Sequence, residues 1–156
     1  MTPRRVCFVC TGNICRSPMA EVVLRTLAER AGGPELVVSS AGTGDWHVGS
    51  SMDPRAAAAL VAAGYPDHPH VARQMDRTSL EHQDLVVALD RRHLEALRAL
   101  GAAPGDHLAL LRSFDPEARG SLDVPDPYYG QPADFTACLA LVEAGCRGLL
   151  EHLAAP

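Results

Sequence analysis

Apolar positions come first as a short unbroken block, Val6–Val9, and only afterwards at helical spacing. A run this short, apolar on both alternations, reads as a strand buried on both faces of a parallel sheet. After a polar turn, Ser17-Pro18 reads as an N-cap followed by proline at the first helical position. Val23, Leu24, Leu27 and Ala31 then recur with helical period until Gly32-Gly33-Pro34 stops the helix. Leu36–Ser40 is a second strand, and "DPRAAAALVAAG" a second helix opened by Asp53-Pro54 and closed by Gly64. "DLVVALD", Asp84–Asp90, is a third strand, and "RRHLEALRALG" a third helix ending at Gly101. "HLALLRSF" reads as a fourth strand. A last helix begins near Asp134, with Phe135, Leu139, Val142, Leu149, Leu150 and Leu153 on its buried side.

Strands alternating with helices predict βαβ units: an α/β, doubly wound (Rossmann-like) sheet of about four parallel strands, helices on both faces. With 156 residues the chain is expected to be one domain, 1–156. Such folds bind ligands beyond the carboxyl ends of their strands. The loop after the first strand, Cys10–Arg16, is therefore where chemistry is expected.

Charge and composition narrow the partners. A net charge of −5 and an isoelectric point near 5.7 leave no basic stripe for nucleic acid. All 14 basic residues are arginine, which with abundant Ala, Gly and Pro fits a GC-rich coding sequence. The N-terminal apolar run is too short for a signal peptide, and no stretch approaches the ~20 apolar residues of a membrane span. Five cysteines, an odd number, do not form a secreted disulfide framework. A cytoplasmic protein without membrane contact is expected, although export without a signal peptide leaves no mark in a sequence. Only seven residues are aromatic, so any aromatic in a loop needs a reason.

A strand, a tight loop and a helix start together favour anion binding: backbone N–H groups curl into a nest and the helix dipole adds positive charge. Gly12 permits backbone conformations closed to other residues, and Asn13 tolerates a left-handed one. Arg16 offers a planar fork that clamps two oxygens of a tetrahedral oxyanion. A cysteine at the mouth of that nest is favoured as a thiolate, hence as a nucleophile toward bound phosphoryl. Spacing alone recurs by chance among five cysteines and 14 arginines, and an ordinary βα turn with a buried thiol is the competing reading. Cys7 and Cys10 form a Cys-x-x-Cys pair, but residues three apart in a strand point to opposite faces. No histidine cluster completes a zinc site, so no metal is expected. Cys10 and Cys15 are placed for a reversible disulfide across the loop. Cys138 and Cys146, eight residues apart on one helix, are expected to pack in the core.

"VCTGNICRSPMAE" together with the later "DPYYG" resembles the low-molecular-weight protein tyrosine phosphatases. The resemblance extends over nearly the whole chain, through "SAGTGDWHVG", "HVARQ" and "LVVALD". It implies a cysteine-dependent phosphomonoesterase that needs no metal or cofactor and acts on phosphotyrosine proteins; separately, a monomer is expected. Cys10 matches the family nucleophile, which becomes phosphocysteine, and Arg16 the phosphate clamp. Ser17 matches the hydroxyl that donates to the thiolate, within a substrate-binding loop of Thr11, Gly12, Asn13, Ile14 and Cys15. Asn13, Ser40 and His70 match a hydrogen-bond network supporting that loop.

A phenol is a poor leaving group, so a proton donor is needed. Asp126, stiffened by Pro125 and Pro127, is the candidate. Tyr128 and Tyr129, side by side in a Pro/Gly-bounded loop, and Trp46, in a Gly-rich loop, supply aromatic walls for a flat phosphorylated phenol. His47 is a further candidate contact. Arsenate reduction on the same fold is the nearest rival, but it relies on cysteines near the loop, whereas Cys138 and Cys146 lie on the last helix. Phosphoarginine is a second rival substrate; the related arginine-directed enzymes tend to carry threonine where Ile14 stands. A module that binds phosphopeptides without hydrolysing them is the third.

Overall fold

The run that opens the sequence forms β1 (Arg4–Cys10), every residue from Val6 to Cys10 buried. A computed structural model of the chain describes residues 2–102 and 107–156. From β1 the chain turns into α1 (Arg16–Ala31), returns as β2 (Leu36–Gly42), and continues through α2 (Pro54–Ala62) and the short α3 (Arg77–Glu81). β3 (Leu85–Ala88), α4 (Arg91–Ala99) and β4 (Leu108–Leu110) follow; a 3-10 turn (Leu111–Phe114) and α5 (Pro132–Ala154) close the chain.

The four strands are parallel in the order β2-β1-β3-β4. β1 sits between β2 and β3, with Phe8 opposite Ser40 on one side and Val87 on the other. Alternation along β1 then separates two cores. Val6, Phe8 and Cys10 face Met19, Val23 and Leu24 of α1 and Phe135, Leu139, Val142 and Leu149 of α5. Cys7 and Val9 face Leu80 of α3 and Leu97 of α4, with Met75 in the same cluster. Helices thus cover both faces, as the doubly wound pattern requires, and the 23-residue α5 lies against α1. No described helix is long and apolar enough to cross a membrane.

Beyond shifts of one or two residues at the strand ends, three boundaries and one element differ from the sequence reading. α1 begins at Arg16, with Cys15 rather than Ser17 at the capping position, because the Ser17 hydroxyl is drawn to Cys10 instead. "HLALLRSF" is a strand only to Leu110; from Leu111 the chain coils into a turn that buries Leu111 against α5. α5 starts two residues early, at Pro132, where the Asp134 carboxylate accepts from the Gln131 N–H at 2.6 Å. α3 was not anticipated; it is one turn capped by Asp76, whose carboxylate accepts from the Ser79 N–H at 2.7 Å.

In the order β2-β1-β3-β4 the chain leaves β1 and β3 toward opposite faces of the sheet, α1 on one and α4 on the other. The crevice between those two departures is the topological switch point of a parallel sheet. Cys10 ends β1 there, and Asp90 follows β3.

Candidate active site

Residues 11–15 curl between the end of β1 and the start of α1. Asn13 is fully buried at φ 57°, the only non-glycine with positive φ among the described residues. Its side chain explains why that conformation holds. Nδ2 donates to Ser17 Oγ at 2.8 Å and to Ser40 Oγ at 2.9 Å, while Oδ1 accepts from the Arg73 N–H at 3.0 Å. His70 Nε2 meets the Asn13 carbonyl at 2.6 Å.

The direction of this network follows from its far end. Glu21 carries a buried carboxylate, so the Ser40 hydroxyl, 2.7 Å away, must donate to it. Ser40 Oγ then accepts from the Asn13 amide, whose second N–H goes to Ser17 Oγ. The Ser17 proton then has two acceptors in reach, the Ala41 carbonyl at 3.5 Å and Cys10 Sγ at 2.9 Å, and the sulfur is much the nearer. A hydroxyl so held points a hydrogen-bond donor at the sulfur.

Arg16 is buried to 3% exposure and pinned by one nitrogen, which donates to Asp90 Oδ2 at 2.9 Å and to the Val124 carbonyl at 2.8 Å. The other terminal nitrogen lies 3.8 Å from Asp126 Oδ2, on the cleft side. Asp126 is half exposed, and its Oδ1 accepts from the Tyr128 N–H at 3.1 Å. Burial pushes the Asp90 carboxyl up, but the facing His93 ring and the Arg16 hydrogen bond outweigh it and leave it below the usual range. Burial, reinforced by Arg16, lowers His93 to about 4 against the opposing pull of Asp90, Asp126 and Asp123.

These groups open onto a cleft of about 560 Å³, within the range of small-molecule sites. Cys10, Thr11, Gly12, Ile14, Cys15 and Arg16 form its floor; Trp46, His47, Asp126, Tyr128 and Tyr129 form its walls. Every residue expected to contact substrate lines it except Asn13 and Ser17, which lie beneath the floor with Ser40, and His70 meets the loop from the side of its Asn13 carbonyl. Tyr128 stacks edge-on with Tyr129 at 4.9 Å and faces the His47 ring at 5.9 Å. Trp46 and Tyr129 are largely exposed at the rim. Gly12 has a different use from the one expected. Its φ is not positive; a Cβ there would approach His47 Cδ2 to 2.8 Å, so the missing side chain makes room for the imidazole.

Cys15, though on the floor, is held protonated by burial first and by Asp53 and Cys10 next, which raise its pKa strongly. Burial pushes Cys138 up to about 12, and Cys146 is fully buried, so both are core thiols.

Several residues in the site escaped the sequence reading. Asp53 donates its N–H to the Ile14 carbonyl at 2.9 Å and its carboxylate pairs with Arg55 at 2.9 Å. Arg55 in turn donates to the Tyr128 carbonyl at 2.9 Å, tying the anion loop to the Asp126 loop. Arg73, Glu21, Asp90 and His93 support from below, and Arg92 lines the rim. Only Asp90 left a signal: an acidic residue ending a buried strand and capping a helix, at the sheet edge where ligands bind.

The family model of the low molecular weight phosphotyrosine protein phosphatases matches residues 5–156. A low molecular weight protein-tyrosine-phosphatase of Streptomyces coelicolor is 55% identical over 150 residues, covering 94% of this chain and 91% of that one. The crystal structure of YfkJ from Bacillus subtilis superposes with a TM-score of 0.89 at 33% identity, covering 98% of this chain and 96% of that one. YwlE arginine phosphatase, as a cysteine-to-serine mutant with a phosphorylated active-site serine, superposes with a TM-score of 0.83 at 30% identity, covering 96% and 95%.

Proposed function

Because this chain belongs to the low molecular weight protein-tyrosine-phosphatases, we propose that it hydrolyses phosphotyrosine through a phosphocysteine on Cys10, with Asp126 as the proton donor. The observation that carries this reading is the one-way relay Asn13–Ser17–Cys10, which delivers a hydroxyl proton to the sulfur while Arg16 is held beside it. The Cys10 thiolate attacks phosphorus in line. The phosphorus–oxygen bond to tyrosine breaks, and the departing oxygen takes its proton from Asp126. Loop N–H groups and the free edge of Arg16 stabilise charge on the equatorial oxygens. Water then attacks phosphocysteine, gives its proton to Asp126, and displaces the thiolate as inorganic phosphate forms.

Aryl phosphate is favoured over phosphoarginine because the cleft is walled by Tyr128, His47 and Trp46 and floored by the apolar Ile14. The phosphorylated active-site serine that stands for a cysteine in the arginine phosphatase neighbour supports, by analogy, a phosphoenzyme intermediate on Cys10 here. Phosphotyrosine proteins are the proposed substrates, and no metal takes part in either step.

Two substitutions test the reading. Cys10→Ser should abolish turnover and retain phosphate binding. Asp126→Ala should lower kcat on a phosphotyrosine peptide by about 10²–10⁴ and much less on an aryl phosphate with an acidic leaving group. Equal losses on both substrates would remove Asp126 from the acid role. Faster steady-state turnover of a phosphoarginine peptide would reassign the substrate, and arsenate reduction in the same assay would reassign the reaction.

A further inference from the structure

His93 is 2% exposed, in the first turn of α4, and takes no part in the proton and phosphoryl transfers above. Its ring nonetheless meets both ends of the anion loop. Nε2 lies 2.8 Å from Thr11 Oγ1, one residue after the nucleophile, and 3.4 Å from the terminal nitrogen of Arg16 that faces Asp126.

The proton's place on the ring follows from the backbone. The Asp90 N–H points at Nδ1 at 3.2 Å, and a main-chain hydrogen cannot be turned away, so Nδ1 presents its lone pair; Asp90 Oδ1, also 3.2 Å from Nδ1, accepts from the His93 main-chain N–H instead. The single ring proton of the neutral imidazole is therefore on Nε2, directed at the nearer Thr11 Oγ1 (2.8 Å), and the Arg16 nitrogen at 3.4 Å is then a packing contact rather than a donor to the ring. That N–H donates to Thr11 Oγ1, which leaves the hydroxyl's own proton free on the cleft side, where Thr11 is part of the floor. Asp90, whose N–H fixes the ring, also holds Arg16 through Oδ2 and accepts from the His93 N–H through Oδ1 at 3.1 Å. One helix turn thus grips the loop at Thr11 and at Arg16.

We propose that His93 is a positioning residue for the anion-binding loop, its neutral Nε2–H locking Thr11 in register with Arg16 before the phosphoryl group arrives. This rests on the phosphatase reading for its kinetic consequences, but the locking itself concerns oxyanion binding. An uncharged ring suits the role: a second cation beside Arg16 would repel it, and the burial and the guanidinium that disfavour protonation keep the ring neutral. The charged groups around it are Arg16 from α1, Asp90 from its own cap, and Asp123 and Asp126 from the segment before α5.

The test compares His93→Leu, which keeps volume and removes both nitrogens, with His93→Gln, whose neutral amide can still donate to Thr11. Each is assayed for kcat and KM on a phosphotyrosine peptide, for vanadate and phosphate affinity by calorimetry, and for its thermal midpoint. We expect H93L to lose about 10- to 100-fold in kcat/KM, mostly in kcat, with vanadate weakened in parallel. H93Q should recover to within about threefold of wild type. Combining H93L with Thr11→Val should cost no more than the worse single change, since both cut one link. In ¹⁵N spectra of the wild type, the ring should keep its proton on Nε2 from pH 5 to 8. Wild-type kinetics and vanadate affinity in H93L would overturn the proposal. So would an H93Q variant as impaired as H93L at an unchanged midpoint, additive losses in the double variant, or a proton on Nδ1. If the wild-type protein binds vanadate but leaves phosphotyrosine intact, the phosphatase reading falls, and the vanadate affinities of the variants still decide the role of His93.

Discussion

Asn13 shows how one residue type serves two ends. It occupies φ 57°, which costs most L-residues about 1–2 kcal/mol, and its amide satisfies Ser17, Ser40 and the Arg73 N–H at once. The two uses are separable. Asn13→Ala should lower stability by about 3 kcal/mol, from backbone strain together with stranded buried groups. Asn13→Gly removes the strain only, so denaturant unfolding should find it more stable than the alanine variant by about 1 kcal/mol. Both should be equally poor catalysts, because neither turns the Ser17 proton toward sulfur. Turnover restored in the glycine variant would show that Asn13 matters for its backbone alone. The left-handed conformation was readable from an asparagine in a tight loop. Its hydrogen-bond partners were not readable from local pattern: Ser40, 27 residues away, was named only through the family resemblance, and Arg73, 60 residues away, was not named at all.

At the level of elements, α5 carries two glycines that a free-standing helix would be better without. A Cβ at Gly145 would come within 2.6 Å of Leu111 Cγ, and one at Gly148 would collide with the Phe114 carbonyl. Replacing an interior helical glycine by alanine ordinarily gains about 1 kcal/mol. At Gly148 the obstacle is backbone, which cannot rotate aside, and the strain of overpacking is about 1–3 kcal/mol. Gly148→Ala should therefore lower the thermal midpoint, whereas a rise would mean that the 3-10 turn can move off α5. The same contact explains why "HLALLRSF" is not a strand throughout. Its apolar pattern fits a strand, but Leu111 is recruited by α5, and tertiary packing overrides a local preference that differs little between the two states.

The whole molecule should report its buried histidine in its acid stability. Unfolded, His93 titrates near 6.5; folded, it is lowered to about 4. Between those values the unfolded chain binds a proton that the folded one refuses, so stability is complete above pH 6.5 and falls as pH drops toward 4. Asp90, held below the carboxylate range, adds a loss in the same direction at still lower pH. Going from pH 7 to pH 5, the histidine accounts for about 2 kcal/mol. Urea unfolding at both pH values should show H93Q losing less than wild type by about that amount; parallel losses would place the His93 proton in solvent contact.

What the sequence determined by itself is local or periodic. The buried β1, the turn of Cys10–Arg16, the α1 stop at Gly32 and the alternation of strands with helices follow from residue types a few positions apart, because backbone sterics and hydrophobic period act at that range. The order β2-β1-β3-β4 was not in that pattern, and it alone brings Asp90 and His93 from behind β3 against Arg16 from behind β1. Likewise only the folded chain sets Asp126 3.8 Å from Arg16 across 110 residues, and gives the Asn13 relay its direction from Glu21 to the Cys10 sulfur. The division has a physical cause. Conformational preference belongs to single residues and their neighbours, whereas the direction of a buried proton is set by which acceptor the fold brings nearest.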